Sequence, residues 1–328
     1  MSATARVFTL TLNPAIDQTV RVAQLVPGEV HRALGEQSEA GGKGVGVAAV
    51  LAALGVPVTA SGWLGADNAA VFDAAFKERN IADAMVRVAG CTRTNIKLAD
   101  ASRGDSTDIN LPGLALSPEA LLNAEAALLA TLRAQVKPGD WCELAGSLPP
   151  GATPEVWLRL ARAVSAMGAQ VVIDTGGAVL LQLLRALADA SAGDVVPVAL
   201  VKPNRAELEE LVGRRLPTLS DVADAASALC AGGVQRVVVS LGGEGAIIVS
   251  ADGRWLADAP RVPVATTVGA GDALVAGTLA ALVWHQPFPD AAIFGMACAA
   301  ARIQRIAPGL PPRAEVDVIA AGIVPRAI

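Results

Sequence analysis

Three observations predict an α/β chain with a doubly wound, mostly parallel sheet and a small inserted β-sheet. Short apolar runs alternate with helical patterns along most of the 328 residues, a Gly-Ala-Gly-Asp turn opens an apolar helix near residue 270, and two polar–apolar stretches interrupt the alternation. The short runs at 6–12, 58–64, 141–145, 170–174, 198–202 and 236–241 are apolar and of β-branched character, as buried parallel strands are. The whole chain reads as a single domain, 1–328, with the insertions at about 18–39 and 92–111.

Taken in order, the first strand at 6–12 gives way to the polar–apolar stretch 18–39 and then to a Gly-rich turn at 41–46. A helix follows to about Leu54, then a Gly55-Val56-Pro57 turn and the strand 58–64. Val45 to Ala66 carries no charge and is long enough to span a bilayer, but Gly55, Pro57, Thr59, Ser61 and Gly62 break it, so it reads as helix, turn and buried strand. A helix at 68–78 precedes the second insertion, 92–111. There Thr94-Asn95-Ile96-Lys97-Leu98 and Thr107-Asp108-Ile109-Asn110-Leu111 alternate like antiparallel strands with one wet face. The insertions would form a small sheet acting as a lid, or as a contact between two copies. Helices at 118–133 and 154–166 start with Ser117-Pro118-Glu119 and Thr153-Pro154-Glu155, each a capping hydroxyl, a first-turn proline and an early acid. Further helices are expected at 178–190, 204–212, 220–231 and 273–284.

Composition narrows the function classes. The 53% hydrophobic share is largely alanine and signals helix packing. The net charge of −5 and the lack of a Lys/Arg run argue against nucleic-acid or anionic-membrane partners. Cys91, Cys142, Cys230 and Cys298 form no CxxC pair, and His31 and His285 are the only histidines, which disfavours a zinc site and points to a reduced cytoplasmic setting. The N-terminal segment has too short an apolar core for a secretory signal.

Two Gly-rich turns carry chemistry. Gly269, Ala270, Gly271 and Asp272 run straight into an apolar helix, whose unpaired N–H groups and positive dipole end suit an anion, such as a phosphoryl group in transfer. A carboxylate beside that anion is costly unless Asp272 takes a proton from a nucleophile or helps to hold a metal; the plain alternative is an acid stabilised in a first helical turn. Gly41-Gly42-Lys43-Gly44-Val45-Gly46 superficially matches a dinucleotide fingerprint but lacks the preceding buried strand, and it is not a Walker A loop. It remains a Gly-rich helix start with one lysine, suited to a substrate phosphate or simply a surface lysine in a turn.

Taken together, the motifs resemble the ribokinase (PfkB) family of sugar kinases, in its 1-phosphofructokinase and tagatose-6-phosphate kinase branch. They are TLNPAID (11–17), GGKG (41–44), TRTNIKL (92–98), GSLPPG (146–151), VKPNRAELEEL (201–211), SLGGEGA (240–246) and TVGAGD (267–272), and the likeness runs from Thr9 to about Gly309. It implies a ribokinase-like fold and a phosphotransferase using ATP and Mg²⁺ on a phosphorylated ketohexose. In that family Asp272 corresponds to the base, with the Gly269, Ala270, Gly271 and Asp272 amides as the anion hole; a carboxylate of pKa near ~4 suffices for late proton removal. Asp17 matches the acceptor for sugar hydroxyls, and Gly42, Lys43, Arg93, Lys97 and Ser147 match groups around the substrate phosphate. Asn204 and Glu207 match the pair that organises Mg²⁺ through water, with Lys202 just before them, and Ser240, Gly242 and Gly245 match the nucleotide-side turn.

Structural alternatives stand beside these roles. Asn204 and Glu207 also suit an N-cap and a solvated helical acid, Arg93 and Lys97 suit surface charges, and Glu143 is either a group behind the site or a satisfied core carboxylate. The chain departs from the branch at Gly46, where Asn usually contacts sugar hydroxyls, at Ala273, where Ser is usual, and at Ile303-Gln304-Arg305 and Ala307. Lys43 favours this branch over the family's 6-phosphofructokinases. The expected reaction is transfer to the 6-hydroxyl of fructose 1-phosphate, with tagatose-6-phosphate kinase or another phosphosugar kinase as the alternative and a non-catalytic sugar-phosphate sensor as the reading of a different class.

Overall fold

Strand β1 (Val7–Thr11) is the pivot of the main sheet. The computed structural model describes residues 5–189, 195–305 and 309–328; Ala190, at the end of the helix expected at 178–190, and Ala307 lie outside them. After β1 come β2 (Ala15–Val22), β3 (Gly35–Gly41), α1 (Lys43–Ala53), β4 (Val58–Gly65), α2 (Ala70–Glu78), β5 (Ala82–Val88), β6 (Arg93–Asp100) and β7 (Asp105–Ile109). The middle of the chain supplies α3 (Pro118–Gln135), β8 (Trp141–Ala145), α4 (Pro154–Ala166), β9 (Gln170–Asp174), α5 (Gly177–Ala188), β10 (Val198–Val201), α6 (Arg205–Val212) and α7 (Leu219–Ala231). The last third forms β11 (Arg236–Ser240), β12 (Ala246–Ser250), β13 (Gly253–Ala257), α8 (Ala270–Val283), α9 (Phe288–Ile303), α10 (Arg313–Ala321) and β14 (Arg326–Ala327).

The main sheet runs β14-β13-β12-β11-β10-β9-β8-β1-β4-β5. From β5 through β11 neighbouring strands are parallel, and β12 to β14 add an antiparallel edge. From β1 the chain builds outward to β4 and β5, then returns to lay β8 to β11 on the other side. The strand order therefore reverses between β1 and β8, which opens a crevice at the carboxyl ends of these strands. One sheet face packs against α1, α2, α8 and α9, the other against α3 to α7.

The expected alternation is present, and its gaps have physical causes. No element is expected at β5, whose edge position lets Asp83 and Arg87 sit among its apolar residues. Helices α8 and α9 are buried on nearly every side, so α9 shows no amphipathic period to read. They cross at Gly277 and Gly295, where a Cβ on Gly277 would come 2.8 Å from the Gly295 Cα. No helix among the described residues is long and apolar enough to cross a membrane.

The insertions form a separate four-stranded sheet, β3-β2-β6-β7. Within each insertion the strands are antiparallel, as expected, but β2 and β6 join the two halves in parallel. The first half also begins earlier than residue 18, so Asp17 is part of the sheet itself. The expected single wet face does not hold: β7 is exposed throughout and β6 is half-buried along seven consecutive residues.

Candidate active site

The crevice between β1 and β8 gathers most of the residues singled out in the sequence. Gly42 caps α1 with a φ of 113° and sets Lys43 at the first helical position. Lys43 Nζ reaches Asp174 Oδ1, at the end of β9, at 3.2 Å, and Lys202 Nζ, just past β10, approaches the same oxygen at 3.7 Å. Asp174 and Lys202 are buried, whereas Lys43 is half-buried. Gly269 adopts the left-handed conformation at φ 78° and starts α8, so Asp272 stands in the first turn. The N–H of Ala270 turns back to Thr267 O and that of Ala273 bonds Gly269 O. The N–H groups of Gly271 and Asp272 between them project from the helix start without a backbone acceptor among the described residues. Lys202 Nζ lies 3.5 Å from where a Gly271 Cβ would be, and Arg302 Nε lies 3.2 Å from the corresponding point on Gly269. Two cations thus border the turn.

The glycines of the first motif are packing residues. A Cβ on Gly44 would overlap Thr11 Oγ1 and press on Ala145, so the helix start can lie directly on β1 and β8. A Cβ on Gly46 would overlap Asp272 Oδ2. The resemblance places position 46 at the sugar hydroxyls; in the structure it lies against the carboxylate of Asp272. On the small sheet, Asp17 Oδ1 accepts from Asn95 Nδ2 at 3.0 Å and its other oxygen abuts Gly41.

Beside Lys43 opens a cleft of about 740 Å³, lined among others by Pro112, Ser147, Thr175, Gly176 and Glu207. Ser147 Oγ accepts from Asn13 Nδ2 at 3.1 Å. Arg93 and Lys97 have partners within the chain. Arg93 donates to the backbone carbonyls of Asn13, Pro14 and Leu111, tying the root of one insertion to the end of the other. Lys97 lies 3.9 Å from Asp108 on the neighbouring strand. Asn204 and Glu207 form a capping box on α6: Asn204 Oδ1 accepts from the Glu207 N–H at 2.9 Å, and Glu207 Oε2 accepts from the Asn204 N–H at 2.8 Å. The N-cap reading is therefore correct for these atoms, while Glu207 Oε1 faces Gly176 at the cleft. Ser240 ends β11 beside Asn204, and Gly242 (φ 60°) and Gly245 (φ 109°) form the tight turn after it.

The family model for pfkB family carbohydrate kinases matches residues 10–315, nearly the whole chain. The chain belongs to the pfkB family of carbohydrate kinases. It is 48% identical over 276 residues to the 1-phosphofructokinase of Xanthomonas campestris pv. campestris, covering 84% of each chain. It is 41% identical to that of Rhodobacter capsulatus, covering 97% of this chain and 96% of the other. Among solved structures, phosphofructokinase-2 from Escherichia coli in complex with substrates and products superposes with a TM-score of 0.85 at 29% identity, over 97% of this chain and 99% of that one. The chain is thus a phosphotransferase.

In this kinase the charges at the crevice floor shape one another. Burial, reinforced by the negative charge of Asp174, raises the Asp272 carboxyl to about 7 against Lys43 and Lys202, which favour its ionised form. This corrects the expectation of an ordinary carboxylate near ~4. For Lys43 burial opposes the charge, but Asp174, Glu207 and Asp272 together outweigh it and raise its pKa. Partial desolvation against the small sheet raises Asp17 despite Asn95, Lys97 and Arg93, although the residue remains exposed.

Glu143 differs from the satisfied core carboxylate that was one reading of it. It is fully buried, and neither of its oxygens has a hydrogen-bond partner. Sequence reasoning also passed over Asp174 and Arg302. Asp174 carried a usable signal, an acid at the C-terminal end of a parallel strand followed by Thr175-Gly176-Gly177; Arg302, in an unpatterned helix, carried none.

Proposed function

We propose that this kinase transfers the γ-phosphoryl group of ATP to the 6-hydroxyl of fructose 1-phosphate, giving fructose 1,6-bisphosphate. The observation that carries the reading is the Gly269–Asp272 turn: a carboxylate at a helix start whose Gly271 and Asp272 N–H groups face outward, bordered by Lys202. The substrate class rests on the curated relatives named above. Asp272 takes the proton of the attacking hydroxyl as the bond to phosphorus forms, while the two amides and Lys202 meet the charge on the phosphoryl oxygens. Because the transition state is loose, proton removal is late, and a base titrating near 7 is well matched to neutral pH.

In the same reading Asp17 orients the sugar hydroxyls from the small sheet, which serves as the lid. Gly42, Lys43, Arg93, Lys97 and Ser147 surround the substrate phosphate, with Arg93 leaving its carbonyl partners as the lid closes. Asn204, Ser240, Gly242 and Gly245 border the nucleotide. Mg²⁺ would enter with ATP and would supply charge neutralisation to the transferring phosphoryl group. Glu207 Oε1 faces Gly176 at the cleft and would hold such an ion through water, a suitable partner for Mg²⁺, which keeps several of its waters. Two copies pair through the exposed outer parts of the lid, and the enzyme works in the cytoplasm.

An ADP-release assay over a panel of hexose phosphates tests the reading. Fructose 1-phosphate should give the highest kcat/KM, with tagatose 6-phosphate behind it. Binding of sugar phosphate without turnover on any of them would sink the kinase reading in favour of a sensor.

A further inference from the structure

Five buried oxygens without partners lie together beneath the crevice: Thr9 Oγ1 and Thr11 Oγ1 on β1, both carboxyl oxygens of Glu143 on β8, and Asp174 Oδ2 on β9. Strand register puts them on one face. Glu143 stands opposite Thr9 on one side and Val172 on the other, and Asp174, two residues beyond Val172, is its diagonal neighbour. Diagonal neighbours on one sheet face are within reach of long side chains, directly or through one water. Every unpartnered oxygen in this cluster can accept a hydrogen bond, and among these groups only a hydroxyl or a protonated carboxyl can give one. Native interiors rarely leave such groups unmatched, since the desolvation of each is then uncompensated.

We propose that Glu143 keeps its proton at neutral pH and gives it in a hydrogen bond, direct or through one buried water, to Asp174 Oδ2. Glu143 is then a positioning residue. Asp174 Oδ1 holds both Lys43 and Lys202, so fixing Oδ2 fixes the rotamer that places the two lysines. The charges facing Glu143 are Asp174 from β9, Asp272 from α8, Lys43 from α1 and Lys202 beyond β10. Full burial and two carboxylates against two lysines leave an ionised Glu143 strongly disfavoured, in agreement with a pKa raised well above the ordinary range. A neutral acid serving as a buried donor is an arrangement that apolar sites stabilise.

The significance of the lysines rests on the proposed kinase reading, but the proton on Glu143 does not, and the test separates the two. Infrared difference spectra of the full-length protein at pH 7 should show a protonated-carboxyl C=O band that disappears in Glu143→Gln. Gln also donates from the same place, so Glu143→Gln should keep kcat and KM within about 2-fold and leave the acid limb of the pH–rate profile unmoved. Glu143→Met, of similar length but without a donor, should raise the KM for the phosphosugar at least about 10-fold with thermal unfolding close to native. Absence of the band overturns the proposal. So does a shift of the acid limb to lower pH in Glu143→Gln, because removing an ionised neighbour would make Asp272 easier to ionise. Equal losses in the Gln and Met variants would likewise overturn it. If Glu143→Met does not fold, the band and the Gln profile still decide.

Discussion

Gly46 lies so close to Asp272 that a single methyl group at position 46 would overlap the Asp272 Oδ2 atom. The obstacle is the end of a flexible side chain, so the fold can absorb it by turning Asp272 toward the open crevice. Gly46→Ala should therefore lower the Asp272 pKa from about 7 by returning part of its hydration. The ratio of kcat/KM at pH 6 to that at pH 8 should rise, and Gly46→Asn should do the same. The substitution to Ala also removes a helical glycine, adding up to about 1 kcal/mol of stability. An acid limb that stays in place would show that Asp272 does not occupy this pocket in solution.

Asp272→Asn should lose at least about 100-fold in turnover while still binding ATP, as expected when a general base is removed. In the free native enzyme the acid limb of kcat/KM should lie near 7, with activity falling as pH drops through it. The same group affects folding. Its pKa is raised from 3.8 to about 7, so between those values the folded chain binds more protons than the unfolded one, and stability falls as pH rises. Asp272→Asn removes that loss, so its stability relative to native should increase from pH 4 to pH 8, by at most about 4 kcal/mol at about 1.4 per pH unit. Denaturant titrations at several pH values measure this; a constant difference would contradict it.

Removing the charge of Asp174 should expose what it balances. In Asp174→Asn, Lys202 stays buried beside Lys43 without their shared partner, a change that costs on the order of 3 kcal/mol. Inorganic phosphate should restore part of that loss by binding the lysines, and its effect on the melting temperature should exceed that in the native chain. Equal phosphate effects in both proteins would remove the two lysines from the anion site.

The helix-capping role of Glu207 and its proposed Mg²⁺-organising role are separable, so Glu207→Gln is informative. The capping box tolerates Gln, and stability should change by less than about 1 kcal/mol. The Mg²⁺ concentration for half-maximal activity should rise several-fold, because Oε1 no longer carries charge toward the cleft. An unchanged requirement would leave Glu207 as a helix cap alone.

The sheet's winding and both Gly-rich helix starts were legible in the sequence, because buried parallel strands and capped helices leave local patterns. Residues such as β5's Asp83 and the all-buried α9 were not, since an edge strand tolerates charge and a helix buried all round loses its period. In the candidate site, placing Lys43, Asp272 and Lys202 around one reaction came from the family resemblance that the motifs carry. The pairing of Lys43 with Asp174, the burial that shifts Asp272 and the closeness of Gly46 to Asp272 depend on residues far apart in sequence, and no local pattern encodes them.

The shared hold of Asp174 on Lys43 and Lys202 makes anion capture a contest. A ligand has to displace a carboxylate already seated 3.2 Å from one ammonium and 3.7 Å from the other. Chloride or a simple organic acid carries one charge and gains little over the occupant. A phosphate monoester carries nearly two charges and three acceptor oxygens, enough to draw the lysines away. In the proposed phosphate-binding role the resting pair would filter the ionic background of the solution, closing the cradle to abundant monoanions and opening it to phosphorylated ones.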